Sequence, residues 1–203
     1  MKVGIFGGTF DPIHLGHLIV AEEASALLGL DEMLFVPAGQ PWFKAGDAIT
    51  EARHRMAMVE LAIASNPRFR ASDIELTRIG PTYTVDTLIE LQEQLEPDSE
   101  MYLILGLDSL QEIDRWHSPE RVFELATVVG MSRPLCVAFD TERLDSIFPG
   151  ASDRVMMLDG PLIDISATDL RHRVSEGLSI KHRVPESVEA YIYEHGLYRE
   201  RRQ

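Results

Sequence analysis

Apolar residues fall along this chain in two alternating patterns. Short uninterrupted runs at Lys2–Phe6, Met33–Val36, Met101–Leu105, Ala126–Met131 and Val155–Leu158 read as strands buried on both faces, and Phe69–Leu76 reads as one more. Between them apolar positions recur at helical spacing. Leu15, Leu18, Ile19, Ala21 and Leu27-Leu28 form one such stretch, with Gly29 as its stop. Met56, Val59, Leu61 and Ile63 mark a helix over Glu51–Ser65, with Thr50 as the expected cap and Asn66-Pro67 as the end. Leu88, Leu91 and Leu95 mark another over Val85–Leu95. Ser118-Pro119-Glu120 combines a cap residue with proline at the first helical position. Ser166–Glu176 and Pro185–His195 are the last predicted helices, stopped by Gly177 and Gly196.

Strand and helix thus alternate from end to end, and the strands are continuous apolar runs. That combination predicts an α/β fold: a single doubly wound, mainly parallel sheet with helices on both faces. The chain carries no internal repeat, low-complexity tract or dividing linker, so 203 residues are expected to form one domain. In such sheets ligands sit beyond the carboxyl ends of the strands, near the switch in strand order.

Composition narrows the chemistry. The hydrophobic fraction of 45% is that of an ordinary globular chain, which argues against disorder. Asp and Glu number 33 against 19 Lys and Arg, a net charge of −14. That balance argues against long nucleic acid as a partner, because non-specific binding needs many phosphates neutralised. A small anionic ligand remains compatible if donors gather locally. The apolar run Met101–Leu107 is far below the roughly 20 residues that cross a bilayer. Met-Lys-Val-Gly-Ile-Phe-Gly-Gly turns to glycine too early for a signal peptide, so a cytoplasmic protein with no membrane partner is expected. Cys136 is the only cysteine, which excludes an intramolecular disulfide.

The most informative segment follows the first strand: Gly7-Gly8-Thr9-Phe10-Asp11-Pro12-Ile13-His14-Leu15-Gly16-His17. Two glycines allow close backbone approach to a ligand, and the following helix adds its positive end. His14 and His17 are three apart and share a helix face, with Gly16 removing a side chain that would crowd it. No third His, Cys or carboxylate stands nearby at a spacing suited to a metal. The string is neither a dinucleotide G-x-G-x-x-G nor a G-x-x-x-x-G-K-[ST] loop.

Gly7–His17 resembles the H-x-G-H signature of the nucleotidyltransferase superfamily. The resemblance extends along nearly the whole chain to one of its families, the bacterial nicotinate-nucleotide adenylyltransferases. The matching pieces include Pro37–Lys44, Gly80–Leu88, Gly106–Leu110 with Trp116, Ser132-Arg133-Pro134, Ile165–Arg171, Val184-Pro185, Tyr191-Ile192 and Gly196-Leu197-Tyr198. It implies a Rossmann-like nucleotidyltransferase fold over residues 1–203 as a single domain. The implied reaction is attack of the 5′-phosphate of nicotinate mononucleotide on the α-phosphorus of ATP, releasing pyrophosphate, a step of NAD biosynthesis.

An ionised phosphate is already a nucleophile at neutral pH. The protein's task is then to hold two polyanions in line and stabilise charge around the reacting phosphorus. The resemblance implies His14, His17 and Arg171 as catalytic residues, with His17 on the α-phosphate. ATP would be bound by Gly8, Thr9, Phe10, His14, His17, Gly106, Asp108, Ser166, Thr168 and Arg171. Ser166 reads as an N-cap whose neighbouring amides and hydroxyls could meet the β- and γ-phosphates. The mononucleotide would meet Lys44, Thr84, Asp108, Trp116, His117 and Arg133. Trp116 would stack on the pyridine ring, and amides near Thr84 and His117 would receive the nicotinate carboxylate. Mg²⁺ is expected to enter with ATP, held by phosphate oxygens and water rather than by a carboxylate cage. Two positions depart from the family pattern: Phe43, where a histidine often precedes the lysine, and Ala167, where the family usually has a second serine.

Two alternatives stay open at this level. The same chemistry could serve another acceptor, nicotinamide mononucleotide or phosphopantetheine, or the chain could be a nucleotide-binding regulator without catalysis. A homo-oligomer is also open.

Overall fold

The computed structural model describes residues 1–39, 49–132 and 139–199. Six strands form one sheet: β1 (Lys2–Gly8), β2 (Glu32–Pro37), β3 (Phe69–Ala71), β4 (Glu100–Gly106), β5 (Thr127–Ser132) and β6 (Val155–Asp159). Their order is β3-β2-β1-β4-β5-β6, and every neighbouring pair is parallel. The chain runs outward from β1 to β3, then returns to place β4 on the other side of β1. The switch point therefore lies between β1 and β4.

Alternation of side chains along the strands supplies two cores. On β2, Met33 and Phe35 face one side while Leu34 and Val36 face the other. The first face is covered by α1 (Leu15–Leu28), α2 (Ala52–Ile63), α7 (Ala167–Ser175) and α8 (Glu186–Glu194). The second is covered by α3 (Thr84–Gln94), α4 (Leu107–Gln111), α5 (Pro119–Leu125) and α6 (Thr141–Ile147). The central strands β1, β2, β4 and β5 are buried on both faces, which is why they read as unbroken apolar runs, whereas edge strand β6 leaves Met156 40% exposed.

The structure corrects several local expectations. The Phe69–Leu76 strand stops at Ala71, because the Asp73 carbonyl accepts the amides of Leu76 and Thr77 and turns the chain away from β2. Thr50 does not cap α2. Glu51 occupies that position, while the Thr50 amide goes to Asp11 and its carbonyl to Arg55. Ser118 precedes α5 in a left-handed conformation without a side-chain cap bond, so proline at the first helical position marks that start alone. Ser166 does cap α7, its hydroxyl accepting the Asp169 amide at 3.1 Å. The short helices α4 and α6, of five and seven residues, are too brief for apolar periodicity to register in the sequence.

Candidate active site at the switch point

Two cavities open at the carboxyl ends of β1 and β4. The larger, about 580 Å³, is lined by His14, Gly16 and His17 on one side and by Gly106, Asp108, Ser132, Gly160 and Ser166 on the other. The second, about 390 Å³, is lined by Gly8, Thr9, Glu75, Thr82, Thr84, Trp116 and His117. Gly7 and Ser109 line both, so the cavities meet over the end of β1.

The histidine pair is built by the backbone around it. The rings of His14 and His17 stack with centroids 3.7 Å apart and planes 22° from parallel. The His14 amide donates to His17 Nδ1 at 3.2 Å, which leaves the His17 proton on Nε2. Phe6 and Phe10 meet the other side of the His17 ring edge-on, with centroids 6.0 and 5.1 Å away. A β-carbon on Gly16 would lie 3.0 Å from His14 Nδ1, so glycine is what permits the ring to lie there. At Gly8 a β-carbon would lie 2.9 Å from the Phe10 ring.

Burial holds both histidines neutral: that of His14 is lowered to about 4, and that of His17 falls well below the ordinary value, with the neighbouring His14 a smaller cause. They face the cavity as neutral donors, not as cations. His14 Nδ1 is buried without a hydrogen-bond partner among the described residues. The start of α1 is less open than the sequence suggests, since Arg183 O accepts the Leu15 amide at 2.9 Å.

The predicted ATP residues divide. His14, His17, Gly106, Asp108 and Ser166 come together in the larger cavity. Gly8 and Thr9 line the other. Phe10 is 2% exposed, its ring sits in the first core, and it lines neither cavity, so the ligand contact expected of it is not seen. Thr168 and Arg171 stand outside the lining: Arg171 Nη1 donates to Asp11 O at 2.8 Å and Nη2 to Thr168 Oγ1 at 3.4 Å. Of the predicted mononucleotide residues, Thr84, Trp116 and His117 line the smaller cavity, whereas Asp108 lines only the larger. Lys44, Arg133, Phe43 and Cys136 lie outside the described residues.

In the smaller cavity Thr84 begins α3, and a helix start is an environment that favours an anion. Trp116 is half-buried, packed against the second core, and the His117 ring lies 4.5 Å from that of Tyr83. Sequence reasoning missed Glu75, whose carboxylate accepts from Thr87 Oγ1 at 2.9 Å and the Gly39 amide at 3.3 Å. It also missed the Gly160–Ile163 segment along the larger cavity, where Gly160 N donates to Ser132 O at 2.9 Å. Neither carries a motif; both arrive by chain path alone. Among the described residues, no group of three or more His, Cys, Asp or Glu is placed to hold a metal ion.

The sequence profile described as cytidylyltransferase-like matches residues 5–173. The chain belongs to the cytidylyltransferase-like family. Among the relatives it resembles, a probable nicotinate-nucleotide adenylyltransferase of Dehalococcoides mccartyi is 48% identical over 198 residues, 98% of this chain and 97% of that one. Another, from Thermomicrobium roseum, is also 48% identical and covers 98% of this chain and 92% of its own. The solved structure of Plasmodium falciparum nicotinic acid mononucleotide adenylyltransferase complexed with NaAD superposes with a TM-score of 0.78 over 97% of each chain. At 23% identity that likeness carries the fold. The shared architecture is a Rossmann-like nucleotidyltransferase sheet; in this chain His14-Leu15-Gly16-His17 stands at its switch point.

Proposed function

We propose that this protein transfers the adenylyl group of ATP to the 5′-phosphate of nicotinate mononucleotide, giving nicotinate adenine dinucleotide and pyrophosphate. The observation that carries the reading is the pair of cavities meeting over Gly7 and Ser109. One side presents donors suited to phosphates; the other presents an indole and a helix start suited to an aromatic carboxylate. Relatives 48% identical over 98% of the chain bear the matching name.

In this reading the α-phosphate lies where the cavities join. His17 Nε2–H donates to its oxygens, and His14 assists from the stacked ring. A neutral imidazole needs no deprotonation before it can donate, and its burial removes competing water. Ser166, Thr168 and Arg171 serve the β- and γ-phosphates, with Gly106 and Asp108 beside the nucleoside. Trp116 stacks on the pyridine ring, while amides at Thr84 and His117 take the carboxylate. Lys44 and Arg133 are proposed to add positive charge on the acceptor side. Mg²⁺ would come with ATP, held by phosphate oxygens and water, with Asp108 the carboxylate among the described residues that line the larger cavity; it would neutralise charge on the phosphates. Residues 1–203 act as one domain, and the protein works in the cytoplasm; among the described residues no helix is long and apolar enough to cross a membrane.

The test is pyrophosphate release from Mg-ATP with a panel of acceptors at equal concentration. Release is expected to be fastest with nicotinate mononucleotide. A preference for nicotinamide mononucleotide or phosphopantetheine overturns the acceptor, and no release with any acceptor favours a regulator.

A further inference from the structure

The backbone between the two cavities is gripped from behind by groups that neither cavity exposes. Arg55 is 2% exposed. Its Nε donates to Thr50 O and its Nη1 to Thr9 O, each at 2.9 Å, and its Nη2 reaches Gly39 O at 3.5 Å. Asp11, 4% exposed, accepts from the Thr50 amide at 3.1 Å and from the Tyr198 hydroxyl at 2.6 Å. The Asp11 carbonyl in turn accepts from Arg171. One continuous set of bonds therefore links α2, the end of the chain and the loop after β1 to a proposed phosphate-binding arginine.

The backbone at both ends of this set is unusual. Phe10 has φ of 48° and Tyr198 has φ of 63°, a left-handed region that bulky residues rarely occupy. Such a conformation persists only where the surroundings over-determine it. Around Phe10 those surroundings are the contacts to Thr9 and Asp11 just described.

We propose that Arg55 and Tyr198 are positioning residues for the transfer step: through Thr9 and Asp11 they hold the loop over β1 and, through the Asp11 carbonyl, the guanidinium of Arg171. The proposal rests on the adenylyl-transfer reading. Neither residue touches substrate. Their effect is on alignment, which the transition state senses more strongly than the ground state does.

Tyr198→Phe removes one hydroxyl and keeps the ring packed against the first core. It is expected to lower kcat about tenfold, with KM for both substrates within about twofold of wild type. Arg55→Lys, whose ammonium cannot span three carbonyls in a fixed fork, is expected to lose more. The deciding measurement is a double-mutant cycle with Arg171→Ala, run at a temperature where thermal melts show every variant folded. In the Arg171→Ala background, Tyr198→Phe is expected to cost clearly less, about threefold or under, because the part of its effect carried by the Arg171 guanidinium is gone and only the hold on the loop remains. An unchanged kcat in Tyr198→Phe, or the same factor in both backgrounds, overturns the proposal, whether or not Arg55→Lys folds. Absence of pyrophosphate release by wild type overturns the adenylyl-transfer reading instead, and the proposal with it.

Discussion

The two cavities meet at the same strand end, yet they are assembled in different ways. The wall of the larger cavity around His14, Gly16 and His17, the proposed ATP side, comes from one stretch of chain, and its geometry is set by local bonds: an amide onto a ring nitrogen three residues away, and a glycine where a side chain would collide. The acceptor side draws Thr84 from α3, Trp116 and His117 from the segment before α5, and Glu75 from the turn after β3. The first is a pre-set electrostatic device; the second is a shaped recess. The difference predicts that damage to the first appears in turnover and damage to the second in acceptor affinity.

The sharpest test of that contrast is His17→Ala. It removes a buried donor that lines the larger cavity and is proposed to meet the α-phosphate, and is expected to lower kcat roughly 100- to 1,000-fold while KM for nicotinate mononucleotide changes little. A loss confined to KM for ATP would erase the distinction. Steady-state kinetics with each substrate varied in turn measures it.

Next in size is the pH dependence of stability. Burial lowers His14 from 6.5 to about 4 in the folded chain. Between those values the unfolded chain binds a proton that the folded chain does not, so stability falls as pH drops through that window and is fully present above it. His17, also lowered, acts in the same direction. The His14 share amounts to about 3 kcal/mol at pH 4 relative to pH 7. Urea midpoints over that range should fall more steeply for wild type than for His14→Gln; parallel curves would contradict a buried neutral ring.

Trp116→Ala tests the recess. Loss of stacking is expected to raise KM for the mononucleotide about tenfold, with KM for ATP unaltered. Equal changes in both constants would mean that the cavities do not divide the substrates between them.

The smallest effect is expected at Ser166→Ala, where the α7 cap is lost for about 1 kcal/mol of stability. Thermal melting measures it. Because this residue lines only the larger cavity, the proposed ATP side, any change in KM should concern ATP.

The sequence by itself determined the strand and helix alternation, the parallel sheet and the signature loop. Each rests on neighbours in sequence: apolar runs, helical spacing, glycines beside histidines. It marked His14, His17 and Ser166 because their roles depend on contacts within three residues. It could not show that both histidines are neutral, since burial comes from Phe6, Phe10 and the rest of the fold. Nor could it find the bond between Tyr198 and Asp11, 187 residues apart, or give Arg55 any role beyond a place on a helix. Those arrangements need a closed core, because a buried carboxylate and guanidinium find partners only where packing brings distant polar groups together and excludes water. Tertiary structure decided which donors are free to meet a phosphate and which are spent holding the loop that presents them.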